Sequence, residues 1–257
     1  MKTSEPTSPR FYGRRKGRPL RRGMQALLSE MLPALRFDAT RPLATQFGQT
    51  SGRQADLALE IGFGGGEHLA GLAEANPAVN FIGAEPFVNG VASLLRHIQT
   101  GALSNIRIWD DDVRLILPAL PDAGLSQVFI MFPDPWPKKR HAARRILQPE
   151  MMDVLAQLIR PGGQLVLASD DPTAKGWLLQ TAMSHRQFYW TARRPADWRQ
   201  RPPHLPATRY MTKAEQASRQ PSWFIFERRA SRCSAPVRRL AFLAKSGYTD
   251  RNMTVVF

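Results

Sequence analysis

Two hydrophobic periods take turns along this chain. Short, largely apolar runs at Leu57–Ile61, Phe81–Ala84, Ile106–Trp109, Val128–Phe132 and Gln164–Ala168 are bounded by turn residues, as buried strands are. Stretches of helical spacing fall between them. From Glu67, the residues Leu69, Leu72 and Ala73 share a face up to Asn76-Pro77, and Val88–Thr100 aligns Val91, Leu94, Leu95 and Ile98. A short helix around Val113–Leu117 precedes Pro118. Pro149 opens a helix carrying Met151, Leu155 and Leu158 on one face, closed by Arg160-Pro161-Gly162-Gly163, and Pro172 opens another through Ser184. Phe188–Ala192 and Trp223–Glu227 are two later strands, separated by a mostly irregular, basic stretch. This alternation predicts an α/β protein with a doubly wound, mostly parallel, seven-stranded sheet. Ahead of it, Met24–Leu35 has helical spacing and Arg36–Asp56 reads as loop. The expected organisation is a flexible basic arm over 1–23, one domain over 24–229 and a carboxyl-terminal extension over 230–257 with no assigned role.

Sheets of this kind bind ligands beyond the carboxyl ends of their strands. The first strand runs into Gly62-Phe63-Gly64-Gly65-Gly66, where the backbone can approach a ligand closely. Each strand also ends at an acid: Glu60 with its glycines, Glu85, the run Asp110-Asp111-Asp112, Asp134 and Asp170. A nicotinamide dinucleotide suits this rim poorly, because Glu67 occupies the third glycine position of its fingerprint and an acid beside a pyrophosphate is electrostatically wrong. A cationic ligand without phosphates fits better, and S-adenosylmethionine is such a ligand. The fourth strand is the most pointed case. It breaks at Pro133, Pro135 and Pro137 into a stiff loop holding Asp134, Trp136 and then Lys138-Lys139-Arg140.

Charge extends the picture to a partner. The 257 residues carry a net charge of +15. Residues 1–23 hold eight cations against one acid, and residues 138–145 hold five cations and no acid. Concentration in two segments argues for a patch that meets nucleic acid. With one cysteine, Cys233, there is no disulfide framework, and the five histidines show no ligand spacing, so no metal is expected. No apolar run approaches membrane length, and the Arg-rich start lacks the apolar stretch of a secretory signal. A cytoplasmic protein without a membrane partner is expected. Oligomeric state is not written in the sequence, and a monomer is the default.

Glu60-Ile61-Gly62-Phe63-Gly64-Gly65-Gly66 resembles the first motif of class I methyltransferases, which are Rossmann-like. Phe132-Pro133-Asp134-Pro135-Trp136-Pro137-Lys138-Lys139-Arg140-His141, followed by Arg144-Arg145-Ile146, resembles the bacterial tRNA (guanine-N7-)-methyltransferase family, as does Thr212-Lys213-Ala214-Glu215-Gln216. The resemblance covers roughly Arg53 to Arg229. It implies methylation of guanine N7 at position 46 in the variable loop of tRNA, with S-adenosylmethionine as donor. It implies that Glu60, Gly62, Gly64, Glu85, Asp112 and Asp134 lie on the cofactor side, with Asp134 also at the catalytic position. It places Lys138, Asp170 and the segment Thr212, Lys213, Ala214 and Glu215 on the substrate side. Ala214 stands where the family usually has an aromatic residue, and the run Asp110–Asp112 leaves the third-strand acid ambiguous by one residue. Two roles for Trp136 stay open: a platform for an extruded base, or a wedge that packs its loop. Lys138, Lys139, Arg140, Arg144 and Arg145 are expected to hold phosphates, with Arg199, Arg201 and Arg209 extending that track. The alternatives are a methyltransferase of another RNA site or of protein, and a non-catalytic RNA-binding protein on this fold.

Overall fold

The structure, a computed structural model, describes residues 11–47, 55–208, 211, 214 and 216–230. Among them lie seven strands: β1 (Asp56–Ile61), β2 (Val79–Ala84), β3 (Ile106–Trp109), β4 (Leu125–Met131), β5 (Ile159–Ser169), β6 (Phe188–Trp190) and β7 (Ser222–Arg228). They form one sheet in the order β3-β2-β1-β4-β5-β7-β6. The first five strands are parallel, and β7 runs antiparallel between β5 and β6. The helices are α1 (Arg22–Glu30), α2 (Leu32–Leu35), α3 (Leu43–Gln46), α4 (Glu67–Ala75), α5 (Val88–Gly101), α6 (Pro149–Leu158), α7 (Pro172–Met183) and α8 (Ala196–Arg199). No helix among the described residues is long and apolar enough to cross a membrane.

Strand parity divides the core into two layers. Leu57, Leu59, Ile61, Val128, Ile130, Leu165 and Leu167 face one way, toward Met151, Met152 and Leu155 of α6 and Leu178 of α7. Ala58, Phe81, Phe129, Met131, Val166 and Ala168 face the other, toward Leu69 and Leu72 of α4 and Leu94, Leu95 and Ile98 of α5. Successive side chains on a strand point to opposite faces, so a run apolar at every position fills both layers. The two layers make β1 and β4 the centre of the molecule. They pair with each other, Leu59 opposite Val128 and Glu60 opposite Phe129, while β1 leads onward to β2 on its other side. The connections diverge here, and a crevice opens at the carboxyl ends.

Several boundaries differ from expectation for local reasons. The helix expected over Met24–Leu35 starts at Arg22 and is divided at Met31, because Pro33 has no N–H to continue the ladder of α1. β4 starts at Leu125 and stops at Met131, because Phe132 adopts φ +51°. The Arg160–Gly163 turn expected to close α6 belongs to β5. The register of β4 and β5 slips between Leu125/Ile159 and Gln127/Gln164, and Gly162 at φ +75° takes up the extra length. The basic run past Asp134 forms a short 3-10 helix, Lys139–Arg144.

The arm expected to be flexible over 1–23 is described from Phe11, and that part is docked. The Arg15 carbonyl accepts from Val88 N at 3.0 Å, Gly17 N donates to Asn89 Oδ1 at 2.8 Å and Asn89 Nδ2 donates to the Arg18 carbonyl at 2.8 Å. Arg15 also pairs with Asp111 at 2.7 Å. Asn89 thus satisfies two backbone groups of the segment at once. Cys233 and the extension after 230 lie outside the described residues.

Candidate active site

A cavity of about 730 Å³ lies over the carboxyl ends of β1, β2 and β4. Gly62 and Gly64 line its floor, Glu85 and Phe87 follow from β2, Asp112 and Arg114 from β3, and Asp134 and Trp136 from β4. Phe11, Tyr12 and Arg14 of the docked segment complete the wall.

The loop after β1 needs its glycines. Gly62, Gly64 and Gly66 have φ of +76°, +56° and +82°, the left-handed region that side chains rarely adopt. A Cβ on Gly62 would meet nothing within 4 Å, so bare backbone is presented to the cavity there. Gly90 of α5 is required for a different reason, since a Cβ on it would lie 2.2 Å from the Gly64 carbonyl oxygen. α5 therefore presses directly on the loop.

Glu85 holds the loop from the cavity side. One carboxylate oxygen accepts from Gly64 N at 2.8 Å and the other from Phe87 N at 2.9 Å. Burial pushes its pKa above the ordinary 4.5, the two backbone N–H groups oppose that shift, and the charges of Asp134 and Glu60 add to it. Asp112 also faces the cavity, and its carboxylate accepts from Arg114 N at 3.0 Å and pairs with the Arg114 guanidinium. Its neighbour Asp111 turns instead to Arg15, and of the two Asp112 is the one on the wall.

Asp134 is exposed on its loop, between two non-glycine residues with left-handed backbones, Phe132 at φ +51° and Trp136 at φ +41°. Such conformations persist only where surrounding contacts hold them. Phe132 N donates to the Ala168 carbonyl at 2.8 Å. Arg145 holds the other end: its guanidinium donates to the Trp136 carbonyl at 3.1 Å and lies 4.4 Å from the Trp177 ring centroid. Trp177 is itself fixed by a 2.7 Å bond from Nε1 to the Leu147 carbonyl. Arg144 stacks over both Tyr12 and Trp136, at 4.9 and 5.0 Å from their centroids. The basic run therefore splits. Lys138, Lys139 and Arg140 are exposed, whereas Arg144 and Arg145 are spent partly on the loop. His141 sits edge-on to Trp136, its pKa lowered by partial desolvation and by the charges of Arg144, Arg140 and Lys138.

Other expected residues lie off the cavity wall. Glu60 is 1% exposed and points into the α4 layer, with its carboxylate 2.9 Å from Nδ1 of His68. Strand parity explains this: Glu60 shares a face with Ala58, not with Ile61. Lys138 is exposed beside the mouth, just past Asp134. Asp170 pairs with Arg219 at 3.1 Å, and Arg219 N donates to the Ala214 carbonyl at 2.8 Å, so the structure links Asp170 to that segment. Ala214 is fully buried. Thr212, Lys213 and Glu215, like Arg209, lie outside the described residues. Sequence reasoning missed Tyr12, Arg14 and Arg114 on the wall and the buried role of His68. The first two were hidden in a segment with no periodicity. No cluster that could hold a metal occurs among the described residues.

The strand order, the antiparallel β7 and a glycine loop opening a crevice beside β4 are those of a class I methyltransferase. The fold matches solved methyltransferases: an antibiotic-related methyltransferase (TM-score 0.52, 12% identity, 77% of this chain and 98% of that one) and the 16S rRNA methyltransferase KamB (0.51, 15%, 72% and 94%). Residues 54–227 match the family described as "Putative methyltransferase". The chain is 50% identical over 231 residues to the tRNA (guanine-N(7)-)-methyltransferase of Rhodospirillum rubrum, covering 86% of this chain and 88% of that protein. It is 47% identical over 234 residues to the enzyme of the same name from Paramagnetospirillum magneticum, covering 86% and 94%. The chain belongs to the tRNA (guanine-N7-)-methyltransferase family.

Proposed function

We propose that this chain transfers a methyl group from S-adenosylmethionine to N7 of guanine at position 46 of tRNA, giving 7-methylguanosine. The observation that carries the reading is Asp134, exposed on the cavity wall at the switch point between β1 and β4, with exposed cations directly after it. The walls suit the donor. Bare backbone at Gly62 gives it room, and Glu85 and Asp112 are acceptors for hydroxyls.

S-adenosylmethionine supplies the methyl on a sulfonium, and guanine N7 has an in-plane lone pair and carries no proton. No base is needed before transfer, and the methylated guanine is cationic. The protein has to position the base and tolerate positive charge. Asp134 accepts hydrogen bonds from the edge of the base and favours the charge that develops on it. Arg145 keeps the loop in the conformation that presents this carboxylate. Trp136, on the wall and covered on one face by Arg144, offers a surface against which the base is held. Lys138, Lys139 and Arg140 take phosphates at the mouth, and Asp170 with the Thr212–Glu215 segment receives the tRNA beyond it.

Purified protein incubated with tritiated S-adenosylmethionine and unmethylated tRNA is expected to place label in 7-methylguanine. A tRNA with another base at position 46 should take none. Label confined to another base or to protein would overturn the assignment.

A further inference from the structure

We propose that His68 and Glu60 form a buried strut that sets the shape of the glycine loop, making His68 a positioning residue for the methyl donor. The inference rests on reading that loop as the donor site. Three left-handed glycines give the loop little shape of its own. Glu85 fixes Gly64 from the cavity side, but Glu85 is itself on the wall and faces a ligand. The strut works from the protein side. It joins the end of β1 to the first turn of α4 across the loop, at 2.9 Å, between side chains only 2% and 3% exposed. Neither residue lines the cavity.

Both ends are anchored. Glu60 lies opposite Gly83 of β2 and Phe129 of β4, in the middle of the sheet. The His68 ring sits edge-on to Phe129 at 5.3 Å. Nδ1–H of His68 donates to the Glu60 carboxylate, and Nε2 is buried without a hydrogen-bond partner. A hydrogen bond to a carboxylate in a buried layer is strong and directional. It is also a side-chain tie near the start of α4, whose N-cap, Gly66, makes no side-chain cap bond. Without the strut the loop samples other shapes and donor binding must reorder it, so the loss falls on donor affinity.

The test is S-adenosylmethionine binding by calorimetry on the full chain, alongside steady-state kinetics. His68→Leu is expected to raise Kd and KM for the donor roughly tenfold to a hundredfold, with kcat at saturating donor and KM for tRNA changing least. His68→Asn should rescue, because its Nδ2 sits where Nδ1 sat. His68→Gln should not, because its amide reaches the position of Nε2. If His68→Leu fails to fold, the Asn and Gln pair decides. Equal affinity in that pair, or wild-type affinity in His68→Leu, overturns the strut, as does loss confined to Glu60→Gln, which would put Glu60 on the donor itself. Wild-type protein that binds the donor yet labels no guanine overturns the substrate reading alone, and the binding series still decides the strut. Wild-type protein that binds no donor overturns both.

Discussion

Asp134 owes its position to its neighbours. Two left-handed residues flank it, and each costs on the order of 1–3 kcal/mol when held there. That strain is balanced by the β5 contact of Phe132 and the Arg145 contact of Trp136. Asp134→Ala is therefore expected to abolish turnover while leaving retention of tRNA on a filter largely intact. Glu85 makes a prediction in pH. Its raised pKa means the folded protein binds this proton more tightly than the unfolded chain does. Its contribution to stability is thus full below about 4.5 and is lost as pH rises through the folded value. Donor binding has the opposite sign, since the ionised carboxylate is the better acceptor. Donor affinity should fall with decreasing pH at values above those of an ordinary glutamate, and Glu85→Gln should flatten the profile in a calorimetric series. Where each acid lies was only partly legible in the sequence. Asp134 and Gly62 announced themselves by the prolines and glycines around them. Glu60 did not, because a carboxylate before a glycine loop looks alike whether it faces the ligand or the helix behind.

The elements were legible wherever burial wrote the pattern. The strands β1, β2, β3 and β4 and the helices α4 and α5 follow directly from apolar periodicity, because each fills one of the two layers. The misplaced boundaries lie where backbone chemistry takes over from burial: Pro33 dividing a helix, Phe132 ending a strand, Gly162 carrying a bulge. The short 3-10 helix of the basic run had no apolar stripe to reveal it. The α5 contact on the loop was equally hidden, since Gly90 looks like a helix weakener until its neighbour is known. Gly90→Ala is expected to cost about 1–3 kcal/mol by overpacking. A lowered melting temperature together with weaker donor binding would show that α5 and the loop yield as one.

At the scale of the whole molecule, the charge pattern pointed to the partner but not to the course of the chain. The amino-terminal segment was readable as basic, and its docking was not. Its hold includes polar contacts with Val88, Asn89 and Asp111 and the stacking of Arg144 over Tyr12, and such contacts at the surface leave no periodic trace. Deleting residues 1–22 removes both cations and a section of the cavity wall. It should weaken tRNA binding and flatten its dependence on salt concentration, because fewer counterions are released. An unchanged slope would confine the segment to shaping the cavity.

The antiparallel β7 has a consequence for how the molecule is made. A chain leaves the ribosome from its amino end, and domains form as their parts emerge. Five parallel strands and every described cavity residue are complete once Ser169 is out, yet β6, although made earlier, has no neighbour in the sheet until Ser222–Arg228 arrives to lie between it and β5. Until then the edge of β5 is an open row of backbone donors and acceptors, ready to recruit another nascent chain. A product cut short before Ser222 would keep the described cavity lining and still be lost from solution by self-association. The last of the described strands to be made is the one that renders the first ones safe.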